Sequence, residues 1–369
     1  MSDASSAPVQ SANAEPPEDD EDEGAPPRLQ LTGRSLLIFI GFLAASLAAL
    51  YYLLPQLAGL QDTWHRIEDG SPWWMLLALG FTFGMFVGYV MQFRGVFGRA
   101  ETRQRIDWRE SYQITMAGLA ASRIFAAGGA GGLVLMAWAL RRAGMRKREV
   151  ADKTLSFLIL TYFPYVTAVI VCGLGLRLGL FSGPDPFGLT VVPAILAVIA
   201  LAIGLSIALV PTDLQRRVGH VIESRSTFAR LAQKLAHLPA AASAGMRDAI
   251  AHVRTRDPAL LGAIVFWASQ ILVLWAAFHA FGDPPPWAVL IQAFFVGMLG
   301  NLLPMPGGVG GVEGGMIGAL VAFNVDGGLA VVAVLVYRAF TFWLPLIPGV
   351  IAYFQLRKTV ERWSLHYTK

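Results

Sequence analysis

Three ionisable side chains lie where a chain this apolar has least room for charge: Arg123, Glu313 and Arg338 each fall inside or at the edge of an apolar stretch. At such depth a charge is expensive, so it faces a partner or a polar cavity. Arg123 precedes the run Ala126-Ala127-Gly128-Gly129-Ala130-Gly131-Gly132, and Glu313 follows Pro304-Met305-Pro306-Gly307-Gly308-Val309-Gly310-Gly311. Glycine reaches backbone conformations that other residues adopt only at a cost, so each run reads as a break in a helix. The arm resuming near Gly132 would aim its first N–H groups at the interior of the membrane, where with Arg123 they could hold a phosphate. Glu313 stands at the start of the other resumed arm. It reads either as an acid that satisfies a helix N-terminus or as a group coupled to a proton or a cationic headgroup. Arg338 reads either as the counter-ion of Glu313 or as a second phosphate contact. Asn301, Asn324 and Asp326 flank the second break as polar lining, or as the turn and cap residues that such positions routinely use.

The elements that must position these groups are membrane spans. The 369 residues are 55% hydrophobic and 15% charged, against about 45–50% and 25% in ordinary soluble domains, which excludes a soluble globular enzyme or a disulfide scaffold. Six segments reach the roughly 20 apolar residues that a bilayer core requires: Ser35–Leu54, Pro72–Phe93, Leu155–Leu176, Leu189–Val210, Ala259–Phe281 and Leu329–Leu356. Eight acids precede Arg28, so residues 1–28 form an acidic, disordered tail. Beyond it, 29 basic residues stand against 17 acidic ones, a net of +12. The membrane domain is taken as 29–358, with a partly amphipathic loop at 211–258 and a short tail at 359–369.

Loop charge sets the sides. Segments 94–109, 141–153 and 211–258 carry five, six and eight Lys or Arg, whereas 55–71 and 177–188 carry one each, so the rich loops and both termini are expected to be cytoplasmic. This basic excess fits orientation and anionic-lipid contact rather than nucleic-acid binding. Two rich loops flank Ser111–Leu140, which must therefore cross the membrane an even number of times. As one helix it would be about 45 Å long and would cross once, whereas two full spans would be too short for a core of about 30 Å. A re-entrant hairpin resolves the conflict. Trp287–Asn324 poses the same problem from the opposite face. Isolated glycines commonly serve close helix packing, but both clusters coincide with a parity conflict that packing would not repair. The expected architecture is all-α and polytopic: six full spans and two opposed re-entrant hairpins, resembling inverted repeats around a midplane site.

Familiar catalytic motifs do not occur. No Lys follows a Gly, no H-E-x-x-H or G-x-S-x-G is present, and neither ATP nor a nucleophilic hydrolase is indicated. Six scattered His and a single Cys offer no zinc spacing, so no cofactor or metal is expected.

The run Asn301-Leu302-Leu303-Pro304-Met305-Pro306-Gly307-Gly308-Val309-Gly310-Gly311-Val312-Glu313, with Tyr337-Arg338-Ala339-Phe340 and Trp343-Leu344-Pro345 after it, resembles the lysylphosphatidylglycerol synthase transmembrane-region family. Ser122-Arg123 to Gly132, then Leu140-Arg141-Arg142-Ala143-Gly144-Met145, looks like the first block of that family. Family members usually read G-G-x-G-x-E where Gly311-Val312 here precede Glu313. The resemblance implies a stand-alone flippase-like domain of the bacterial inner membrane, without the aminoacyl transferase. It moves a phospholipid, an aminoacyl lipid made by a separate enzyme, or a polyprenyl or hopanoid lipid. On this reading Arg123, Gly128, Gly129, Gly131, Gly132, Asn301, Pro304, Pro306, Gly307, Gly308, Gly310, Glu313 and Arg338 line the lipid site. Rival readings are a secondary small-solute or ion transporter with a broken-helix midplane site, a lipid-headgroup enzyme and a non-catalytic scaffold.

Overall fold

Proline at the first helical turn and a capping carboxylate start the two helices at the centre of the fold. Pro72 opens α1 (Pro72–Phe97), and Asp257 caps α6 (Pro258–Phe281) by accepting from the Ala259 N–H at 3.0 Å; Pro is preorganised there and loses no needed N–H. Between and after them lie α2 (Trp108–Ile124), α3 (Ala130–Arg142), α4 (Lys147–Arg177), α5 (Phe187–Ala208), α7 (Trp287–Met298), α8 (Gly311–Ala322), α9 (Gly327–Arg338) and α10 (Leu346–Leu365). The computed structural model describes residues 70–98, 105–124, 130–208, 245–255, 257–303 and 308–365, and among them there is no strand. The expected span Ser35–Leu54, the acidic head and most of the 211–258 loop lie outside the described residues, although 245–254 are helical.

Among the described residues, five helices are long and apolar enough to cross a membrane: Pro72–Phe97, Lys147–Arg177, Phe187–Ser206, Pro258–Phe281 and Gly327–Trp363. Each coincides with a span expected from hydropathy. The last is not one continuous helix, as the sequence predicts, but α9 and α10 joined by a π-turn over Ala339–Trp343. Two prolines explain it. Pro345 and Pro348 have no N–H to give the carbonyls four residues back, and the ladder shifts: Leu344 N donates to Ala339 O at 2.9 Å and Ile347 N to Leu344 O at 3.3 Å. The final helix then runs through Leu365, so residues 359–365 extend it.

Without a hydrophobic force between helices in lipid, association rests on small residues and interhelical hydrogen bonds. Helices α1 and α6 run antiparallel along a seam of glycines: a Cβ on Gly88 would come within 2.6 Å of Phe266 N, and one on Gly95 within 2.6 Å of Ala259 Cβ. Gln92 on α1 donates to Thr161 Oγ1 of α4 at 2.6 Å, and Trp267 of α6 donates to Thr161 O at 2.6 Å. Tyr165 of α4 reaches Phe295 O of α7 at 2.6 Å, while Gln292 of α7 donates to Leu189 O of α5 at 2.7 Å. Helix α5 is the least enclosed and presents Val192, Ile195, Leu196 and Ile199 outward.

The remaining helices are short. At about 1.5 Å per residue, α2 and α3 are about 25 and 20 Å long, and α7 and α8 about 18 Å each, less than a bilayer core. Each pair folds back on itself. A Cβ on Gly132 would overlap Ser122 Oγ and the Gly118 carbonyl, so the end of α2 crosses the start of α3 in direct contact. In the second pair, Gly300 abuts Gly311 and Gly297 abuts Met316, which sets α7 and α8 antiparallel. The first hairpin packs on α10, where Gly349 admits Ala120; the second packs on α4 and α9.

Candidate functional site

The π-turn is the hub of the site. Because Pro345 cannot donate to Thr341 O, that carbonyl needs another donor, and Arg123 supplies it: Nη2 donates to Thr341 O at 2.7 Å and Nη1 to Phe342 O at 3.2 Å. The C-terminal end of α2 is thereby tied to the break between α9 and α10, over a sequence separation of more than 200 residues. The arginine fork matches two neighbouring carbonyls, which an ammonium would not.

Arg338 closes α9 immediately before the same break. Its Nε donates to Glu313 Oε1 at 2.7 Å, and the two side chains are only 7% and 14% exposed. Both guanidinium groups lie over Phe342, with Cζ 4.3 Å from the ring centroid for Arg338 and 5.3 Å for Arg123. Such cation–π contacts keep charge in an apolar setting without neutralising it.

Glu313 has two tasks, one per oxygen. Its Oε2 accepts the Gly310 N–H at 2.8 Å, closing the first turn of α8, while Oε1 takes Arg338. One carboxylate therefore serves as helix cap and as counter-ion of Arg338. Gly310 has φ +86° and Gly308 φ +66°, in the left-handed region that glycine tolerates without strain. A Cβ on Gly308 would also meet Asn301 Oδ1, so the Asn301 side chain would have to shift to admit it.

Three segments distant in sequence thus converge: Arg123 from the first hairpin, Glu313 from the second, and Arg338 with Thr341 and Phe342 from the interrupted span. Gly131 and Gly132 lie buried in the first turn of α3, which begins at Ala130, ahead of the resumption near Gly132 expected from sequence. Asn301 is exposed in a 3₁₀ turn and donates to Met298 Sδ at 3.4 Å. Asn324 (φ +62°) makes the turn after α8, and Asp326 caps α9 through the Leu329 N–H at 2.9 Å. Both serve the chain's turns. Gly128, Gly129, Pro304, Pro306 and Gly307 lie outside the described residues. The sequence reading missed Thr341 and Phe342; the available signal was Pro345. Among the described residues, no three His, Cys, Asp or Glu side chains gather as a metal site requires.

Several apolar helices long enough to cross a bilayer, around a buried cluster of charge, make this a multi-pass membrane protein. The family model of the lysylphosphatidylglycerol synthase TM region matches residues 37–349, and the chain belongs to that family. It is similar to a UPF0104 membrane protein of Methanothermobacter thermautotrophicus, 29% identical over 147 residues, which cover 37% of this chain and 42% of that protein.

Proposed function

We propose that this protein is a translocase of the bacterial cytoplasmic membrane that carries a phospholipid or lipid-linked headgroup from one leaflet to the other, and is a transporter rather than an enzyme. The observation that supports this most is the convergence of Arg123, Glu313 and Arg338 on one π-turn between two helical hairpins. The hairpins are too short to span, and we take them as re-entrant from opposite faces, with both termini cytoplasmic. Irregular backbone at membrane depth is stable only where protein or a wet cavity satisfies it, and broken helices meeting near the midplane are how many transporters build a substrate site.

In this reading two guanidinium groups receive the headgroup phosphate, which suits their bidentate geometry. Glu313 holds Arg338 in place between passages and exchanges that contact for a proton or a headgroup cation as the lipid moves. The family's name supports lipid as cargo.

The test is reconstitution of the full chain in liposomes carrying headgroup-labelled phosphatidylglycerol, with an impermeant quencher outside. Protein-dependent loss of the inner-leaflet signal, from vesicles that stay sealed to a small anionic dye, is the expected result. Dye flux without lipid movement would overturn the reading in favour of a solute carrier.

A further inference from the structure

The pair that carries Arg123 at one end carries a second cationic feature at the other. Helices α2 and α10 run antiparallel in one register: Ala120 meets Gly349, and Thr359 Oγ1 donates to Gln113 Oε1 at 2.9 Å. Continuing that register brings the start of α2 beside the last turns of α10. There a cavity of about 460 Å³ is lined by Arg109, Gln355, Lys358, Glu361 and Arg362. Arg109 and Arg123 stand on the same helix, roughly 21 Å apart along its axis at 1.5 Å per residue, so this basin is separate from the Phe342 site.

We propose that the basin is a docking site for the headgroup of an anionic phospholipid in the adjoining leaflet. Three cations line it against one acid, and Glu361 is engaged with Arg357 at 3.2 Å. The Arg362 guanidinium is held in place, donating through Nη2 to Thr359 Oγ1 at 3.1 Å, and Thr359 is itself tied to α2. The surface leading to the basin identifies the ligand as a lipid. Ile347, Ile351 and Phe354 are 63%, 53% and 52% exposed and continue into Lys358 and Arg362, at the three- and four-residue spacing that aligns side chains on one helix face. An acyl chain fits the apolar part of that stripe and a phosphate the basic part. Trp108, half exposed beside Arg109 with the Arg94 guanidinium 4.5 Å over its ring, is the amphipathic aromatic that favours headgroup depth. The site needs only the membrane location of the chain and does not depend on lipid being translocated.

The test is native mass spectrometry of the full-length protein in detergent, titrated with phosphatidylglycerol or with zwitterionic phosphatidylcholine. The K358Q/R362Q double variant should bind phosphatidylglycerol roughly thirtyfold more weakly, at about fivefold per cation. K358R/R362K should retain binding, and R105Q/R254Q, which removes two exposed charges that do not line the basin, should be unchanged. Excess inorganic phosphate should not displace the lipid. Wild-type binding by K358Q/R362Q, an equal loss in R105Q/R254Q, equal affinity for phosphatidylcholine, or displacement by phosphate would each overturn the proposal.

Discussion

Replacing Glu313 by Gln removes one charge but keeps the shape, which isolates what the carboxylate does. A Gln has one accepting oxygen where Glu has two, and both groups facing Glu313, the Gly310 N–H at 2.8 Å and Arg338 Nε at 2.7 Å, are donors. One of them must then meet an amide N–H₂, and Arg338 loses its carboxylate while its side chain stays 7% exposed. Breaking a buried pair from one side costs about 3–5 kcal/mol. At about 2 °C per kcal/mol for a large domain, E313Q should lower Tm by about 6–10 °C, followed by intrinsic fluorescence in lipid-supplemented detergent. Removing both charges in E313Q/R338Q eliminates the guanidinium that has lost its carboxylate, so the double variant should be more stable than E313Q alone, with a coupling energy of about 2 kcal/mol. A melting point for E313Q within about 2 °C of the wild type, or strict additivity in the double variant, would refute the reasoning.

Other predictions follow from the packing. G297A and G300A place a Cβ against the backbone of α8 and should each cost about 1–3 kcal/mol by thermal unfolding. G314A and G318A, where nothing lies within 4 Å, should be neutral or stabilise by up to about 1 kcal/mol. R123L leaves the Thr341 carbonyl without its donor and should cost about 1–3 kcal/mol and speed hydrogen exchange across the π-turn. Adding P345A supplies the missing N–H, so R123L/P345A should recover part of that loss. Y337F removes the hydrogen bond of 3.0 Å to Gln270 Oε1 and should cost about 1 kcal/mol in the same melts.

Much of this fold is legible because lipid demands long apolar segments. Among the described residues, the membrane-length helices α1, α5 and α6 follow their hydropathy runs closely, while α4 begins eight residues before its run, at Lys147. The pairing of short helices, α2 with α3 and α7 with α8, is legible because a glycine-rich run separates the members of each pair in the sequence. The break in the final span escapes hydropathy, since an 18-residue stretch within Gly327–Trp363 still has a mean hydropathy of 1.9. What breaks it is a missing pair of N–H groups at Pro345 and Pro348, a hydrogen-bonding effect invisible to an apolar average. The pairing of Glu313 with Arg338 is only half legible: the residue types permit it, but the packing of α8 against α9 decides it. The partners of Arg123 are backbone carbonyls, which carry no residue signature, and only the proline downstream marks one of them as unoccupied.

The most direct test of the central claim uses the charge-balanced variant. Wild type and E313Q/R338Q, each verified as folded by melting, are reconstituted at equal density with headgroup-labelled phosphatidylglycerol, and the rate of inner-leaflet quenching is measured. The account predicts a rate at least about tenfold slower in the double variant, equivalent to ~1.4 kcal/mol less stabilisation of the headgroup in transit. A folded E313Q/R338Q that moves lipid at the wild-type rate would contradict it, leaving the buried pair a structural strut and the path of the lipid elsewhere.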